Sequence, residues 1–420
     1  MEDTLIPLAA SMNSPPTLPL QKPDFNRFGA WPATFLALGV LGAAACLFGA
    51  TLNPTRAAFA WHFAFIYGFT LCAGALFWTL LHHATDSGWS VIPRRLAENL
   101  ASLFPWIALA FVPVALAGVR LFSWMGVDPS GDPVLHGKAA YLNAPFFYGR
   151  AAVYFLAFIF FGSLLRRLSV RQDLSGAPGL SLTMRKLSYA GIPIFAMALT
   201  FGSFDWLMGL DYRWFSTMWG VYIFSGSALS AMALMVVVTR WLQAKGWLKE
   251  ITVEHYHLMG KLLLAFVIFW AYIAFSQYFL IWYANIPEET FFFLHRSSGS
   301  WKWLSGLLIF GQFLVPFVLL LLQWTKKRVN VLTGVSVWLL LMHAVDLYWI
   351  ILPQSQFGGS RAEYDALKGV LPGVQFHWMD FAALAAVLGF LFYAFLRRLA
   401  SASLIPVRDP RLEESLHCHN

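Results

Sequence analysis

The chain of 420 residues is 59% hydrophobic, 17% aromatic and only 12% charged, with a formal net charge of +8. Such a composition excludes a soluble domain and indicates an integral membrane protein. A hydrocarbon core of roughly 30 Å asks for about 20 apolar residues per crossing helix, and ten windows of that length succeed one another along the chain.

In chain order, residues 1–30 are a polar, proline-rich arm containing SPPTLPLQKPDF. The arm lacks the basic stretch, apolar core and cleavage site of a signal peptide and is expected to stay cytoplasmic. Spans follow at 31–50, 60–81, 104–122, 144–165, 187–208, 216–238, 258–283, 301–322, 331–352 and 378–396. The fold expected is all-α and polytopic. Two four-helix bundles, 60–208 (helices two to five) and 216–352 (helices six to nine), are flanked by peripheral helices one and ten, and a cytoplasmic tail occupies 397–420. An ordered internal match supports the two halves. WHFAFIYG (61–68) pairs with WGVYIFSG (219–226), and WIALAF (106–111) with WAYIAF (270–275). Four spans separate the matched helices, so the repeat is parallel rather than inverted.

Orientation follows from the basic residues. The arm, the alternate loops at 82–103, 166–186, 239–257 and 323–330, and the tail hold 19 of the 29 lysines and arginines. By the positive-inside rule both termini are cytoplasmic. This asymmetry accounts for the net charge without a nucleic-acid partner. Helix seven, GKLLLAFVIFWAYIAFSQYFLIWYANIPEE (260–289), then starts inside at Lys261, which can snorkel, and ends outside in a solvated NIPEE loop.

Ionisable residues within spans are expensive and are functional candidates by default. They are Asp205 in GSFDWLMGLD, His343 and Asp346 in HAVD, His377 and Asp380 in HWMD, together with His62, Arg150 and Lys261. The two HxxD pairs place an imidazole and a carboxylate on one helix face, as a proton relay or as a structural pair joining helices nine and ten. The acids gather in the outer half, which suggests a pocket open to the outer face rather than a continuous wire. His62 with His343 is the one interior pair suited to a bis-histidine haem. Cys46, Cys72 and Cys418 form no CxxC, so any redox centre is expected on another chain. Prolines 105, 113, 193 and 316 interrupt spans without the symmetry of a secondary transporter, and a purely structural membrane anchor is the other rival reading.

Four blocks carry a family resemblance: YLNAPFFYGR (141–150), FGSFDWLMGLDYRWFSTMWGVYIFSGS (201–227), the helix-seven segment through Thr290, and PVRDPRLEESL (406–416). They resemble the second NrfD-like (polysulfide reductase type) membrane subunit, the ActF type, of bacterial alternative complex III. The resemblance implies a subunit of a quinol:cytochrome c oxidoreductase in the bacterial inner membrane that binds no cofactor itself. Its implied partners are a second NrfD-like subunit that oxidises the quinol (menaquinol), an iron–sulphur protein with its clusters, multihaem and monohaem cytochrome c subunits with c-type haems, small membrane subunits and lipids. A terminal oxidase is a further candidate partner. It also implies proton-conducting residues, which fall here on Asp205, Asp211, Asp346, Asp380 and Lys261, joined by His343 and His377 from the HxxD pairs.

Overall fold

Ten apolar helices, each long enough to cross a bilayer, make up the protein, described here from a computed structural model over residues 22–356 and 373–419. They are α1 (Trp31–Leu52), α2 (Pro54–Ala84), α3 (Val91–Leu116), α4 (Ala144–Ser175), α5 (Gly179–Leu210), α6 (Trp219–Ala244), α7 (Val253–Ala284), α8 (Trp301–Leu321), α9 (Val329–Gln356) and α10 (Trp378–Ser401). No strand occurs among the described residues. The all-α polytopic fold with ten crossings is as expected. Most of the N-terminal arm, residues 1–21, lies outside the described residues.

Local chemistry sets the helix ends. Asn53 caps α2 by accepting from the Arg56 amide at 2.9 Å, with Pro54 in the first turn. Asn143 does the same for α4 through Phe146 at 3.0 Å, and α4 stops at Gly176, which adopts φ 66°. These are the residue types that satisfy orphan amides at a start and tolerate a left-handed stop. Several boundaries differ from the sequence reading, with α4 running to Ser175 instead of 165 and α5 starting at Gly179 instead of 187. The third span begins at Val91 instead of 104, because its first segment, Val91–Ala101, is a fully buried helix despite carrying Arg94, Arg95 and Glu98. The NIPEE segment, expected as a loop, leads into a short helix, Pro287–Arg296, with proline in its first turn. Helix α8 is α-helical at both ends but has a π-helical middle, Leu308–Leu314.

Helix α2 is the most enclosed span, with 89% of its window buried. It packs on α3, α5, α6 and α10, while α6 in turn packs on α5, α7 and α9. The α2–α6 crossing therefore joins the two halves of the chain. It is close because Gly74 has no side chain: a Cβ there would lie 1.9 Å from the Ser227 carbonyl oxygen. The matched glycines of the repeat have different nearest neighbours, Val387 of α10 at Gly68 and His343 of α9 at Gly226. Outside this assembly α1 pairs with α10, where a Cβ on Gly42 would meet the Ala386 amide nitrogen at 2.5 Å. Close backbone approach through small residues is how membrane helices gain packing energy when water cannot drive association.

The substitution Gly74→Ala should accordingly lower the unfolding temperature of the purified protein by several degrees or prevent its recovery, since overpacking costs about 1–3 kcal/mol. Gly137→Ala, where nothing lies within 4 Å of the added methyl, should leave it unchanged; equal melting of the two variants would contradict the crossing described.

Candidate functional site

Asp346 sits on α9 among aromatic side chains of α6 and α7. The Tyr222 hydroxyl donates a short hydrogen bond to Oδ1, and the Trp270 indole N–H donates to Oδ2 at 3.1 Å. Tyr222 is held by stacking on Trp219, with centroids 5.2 Å apart and planes 3° apart. The carboxyl is 1% exposed. No basic side chain among the described residues lies within ion-pair distance of it. Its two oxygens are served by neutral donors, so binding or releasing a proton there removes or creates a charge with no fixed counter-ion.

His343, one turn before Asp346 on α9, turns to a different helix. Its Nε2 lies 2.9 Å from the Thr70 hydroxyl of α2. That hydroxyl donates its own proton to the Tyr67 carbonyl at 2.9 Å, so Nε2 carries the hydrogen and donates. Nδ1 is then an acceptor, buried and without a protein partner among the described residues. Gln312, in the π-helical middle of α8, is also fully buried with both amide atoms unpartnered there. Gly311 beside it packs on Met342 and gives its carbonyl to the Trp338 indole at 2.7 Å, which puts Gln312 and His343 at one level. Unpaired polar atoms in such a place are the usual lodging of internal water.

Past Asp346 toward the C-terminal end of α9, Arg296 from the short helix Pro287–Arg296 is 1% exposed. It donates to the carbonyls of Trp349 at 2.9 Å and Ile350 at 2.7 Å, three and four residues past Asp346, and stacks 3.6 Å over Phe292. Burial pulls this guanidinium down to about 9. Asp211, in the turn after α5, accepts from the Arg213 amide at 3.1 Å and from Gln354 at 3.2 Å, and burial pushes its carboxyl up. Arg296 thus holds the C-terminal end of α9, one turn past Asp346.

The other sequence candidates do not join this site. Asp205 is gripped by Arg150 of α4 in two hydrogen bonds, 2.9 and 2.7 Å, and by the Tyr154 hydroxyl at 2.9 Å. Arg150 is itself sandwiched against Tyr141 at 3.7 Å and Phe146 at 4.2 Å. This is a fixed ion pair locking α4 to α5. Asp380 pairs with Arg56 of α2, and with His377 it closes a capping box at the start of α10. The second HxxD is therefore a helix cap, and neither pair joins α9 to α10: His343 and Asp346 reach α2, α6 and α7. Lys261 is exposed near the start of α7. His62 spends Nε2 on the Trp206 carbonyl at 2.7 Å, holding the end of α5, so it and His343 each have a protein partner of their own.

A second polar centre lies at the opposite, basic end, where an inner half poor in ionisable groups is expected from the sequence. Glu98 pairs with Arg94 at 3.2 Å, Arg95 at 3.1 Å and His83 at 3.2 Å. Arg94 continues to Asp409 of the tail at 2.5 Å and Arg95 to Asp173 of α4 at 2.9 Å. All of these side chains are buried. The network ties α2, α3 and α4 to the tail. Its signal in the sequence is the spacing of Arg94 and Arg95 four and three residues before Glu98, which pairs charges on one helix face.

Replacing Asp205 by Asn leaves the Arg150 cation buried without its carboxylate, a loss of about 3–5 kcal/mol. Thermal unfolding should show that loss, and reversal to a wild-type melting curve in an Asp205→Asn/Arg150→Met double variant would support the structural role. A single variant as stable as wild type would contradict it. Among known proteins, no family model matches the chain and no curated protein matches it.

Proposed function

We propose that this chain is a membrane subunit of a bacterial respiratory quinol:cytochrome c oxidoreductase of the alternative complex III type. It lies in the cytoplasmic membrane with both termini inside. It packs beside a second NrfD-like subunit that oxidises the quinol, and supports iron–sulphur and c-type cytochrome subunits on the outer face. Its own chemical part is to exchange protons with the outer phase through Asp346.

The four sequence blocks support the family part of this reading, and the excess of basic residues at one end supports the orientation. One observation carries the proton role: Asp346 is a fully enclosed carboxyl whose partners are the neutral Tyr222 and Trp270. Asp205 and Asp380 are held by arginines instead. A carboxyl locked to arginine is a poor carrier, because protonating it strands a buried cation. Asp346 carries no such penalty. Each elementary charge moved across the full membrane potential is worth about 2.3 kcal/mol per 100 mV, which is the scale of work such a group performs. The Arg150–Asp205 and Arg56–Asp380 pairs favour an additional anchoring role, since both tie helices together and neither faces Asp346.

In proteoliposomes containing the whole complex, Asp346→Asn should lower the protons released per electron, or the turnover, with every subunit still present. Normal proton yield and turnover would reduce the chain to an anchor.

A further inference from the structure

At the basic end, sharing His83, Arg94 and Asp409 with the Glu98 network, a cavity of about 410 Å³ opens between the end of α2, the start of α5 and the tail. Arg94, Arg185 and Arg411 line it, facing only two lining carboxylates, Asp86 and Asp409. Those carboxylates are already engaged. Asp86 takes Nε and Nη2 of Arg185. Asp409 takes Nη2 of Arg94 and the backbone amide of Arg411. Arg94 gives its Nε to Glu98, and Arg411 gives its Nε to Glu414 outside the lining. The Nη1 groups of Arg94 and Arg185 and both Nη groups of Arg411 have no protein acceptor among the described residues.

Two further features converge on the same space. The first turn of α5 lines it through Gly179, Ser181 and Leu182, so the positive end of a long helix faces the cavity. His82, at its inner wall, is 3% exposed and its Nδ1 has no partner among the described residues. Unspent guanidinium donors and a helix start are together the donor set of an oxyanion site. At the mouth, Leu182 is 53% exposed on a membrane-crossing helix, so an apolar chain can continue from the cavity along α5.

We infer that this cavity binds a phosphate group, held by the free guanidinium donors of Arg94, Arg185 and Arg411 and the first turn of α5. The phosphate arrives on a lipid headgroup of the adjacent leaflet or as the free anion. The site is independent of the proton role assigned to Asp346 and would persist if that role failed.

Native mass spectrometry of the full chain in detergent tests it, using phosphatidylglycerol, the diacylglycerol with the same acyl chains, and inorganic phosphate as probes. Wild type should retain phosphatidylglycerol, or inorganic phosphate at millimolar concentration, and not diacylglycerol. Arg185→Gln/Arg411→Gln should retain the bound probe about a hundredfold less, the loss of roughly two charge-assisted contacts. Lys302→Gln, outside the cavity, should behave as wild type. Retention of phosphatidylglycerol with no competition from inorganic phosphate identifies the headgroup as the source; competition identifies the free anion. Equal retention by the double variant and wild type, or diacylglycerol held as well as phosphatidylglycerol, would overturn the site. If the double variant melts early, Arg411→Lys, which keeps the charge but only part of the donor fork, should show an intermediate loss in a protein of normal stability; no loss there would also overturn it.

Discussion

A charge enclosed in a helical bundle must meet an opposite charge or a set of hydrogen-bond partners, and this rule orders the buried ionic residues of the protein. The cost of an isolated buried ion far exceeds that of a buried methylene. Each interior arginine with a carboxylate therefore acts as a tie. Arg150 with Asp205 joins α4 to α5, Arg56 with Asp380 joins α2 to α10, and Glu98 with Arg94, Arg95 and His83 gathers α2, α3, α4 and the tail. Arg296, buried without a carboxylate, meets the rule through carbonyl oxygens at the end of α9. Asp346 stands apart among the fully enclosed acids, since the partners of its oxygens among the described residues are a phenol and an indole. The same constraint that makes the other acids structural makes this one suited to carrying a proton.

Packing supplies the frame in which that difference is held. Helix α2 runs through the middle, and its close pass against α6 at Gly74 and Ser227 brings Thr70 of α2 up to His343 and places Tyr222 of α6 against Asp346. The stack of Trp219 on Tyr222 fixes the phenol, so the hydrogen bond to Asp346 does not depend on a mobile loop. The stacked pair Arg296 and Phe292 rests on the C-terminal end of the same helix, α9. Stability and the site thus share one set of contacts.

Much of this was legible in the residues, and the failures have definite physical causes. Spans could be read because an apolar run of about 20 residues has few other uses. The start of α3 was hidden because Arg94, Arg95 and Glu98 look like a loop until their mutual neutralisation is seen, and one partner, Asp409, lies more than three hundred residues away. Spacing alone put each HxxD on one helix face. Which neighbour an imidazole or carboxylate then reaches depends on helices distant in sequence, so HAVD splits between α2 and the α6–α7 pair while HWMD becomes a cap. Asp346 and Asp205 look alike in the sequence; only the placement of Arg150 beside one of them tells them apart.

The most direct test asks whether Asp346 changes its protonation state while the assembly works. Infrared difference spectroscopy of the proposed complex during quinol turnover reads the carbonyl stretch of a protonated carboxyl. The account predicts a difference band in that region that disappears in Asp346→Asn. A band that survives the substitution unchanged, or no carboxyl band in the wild type, would contradict it.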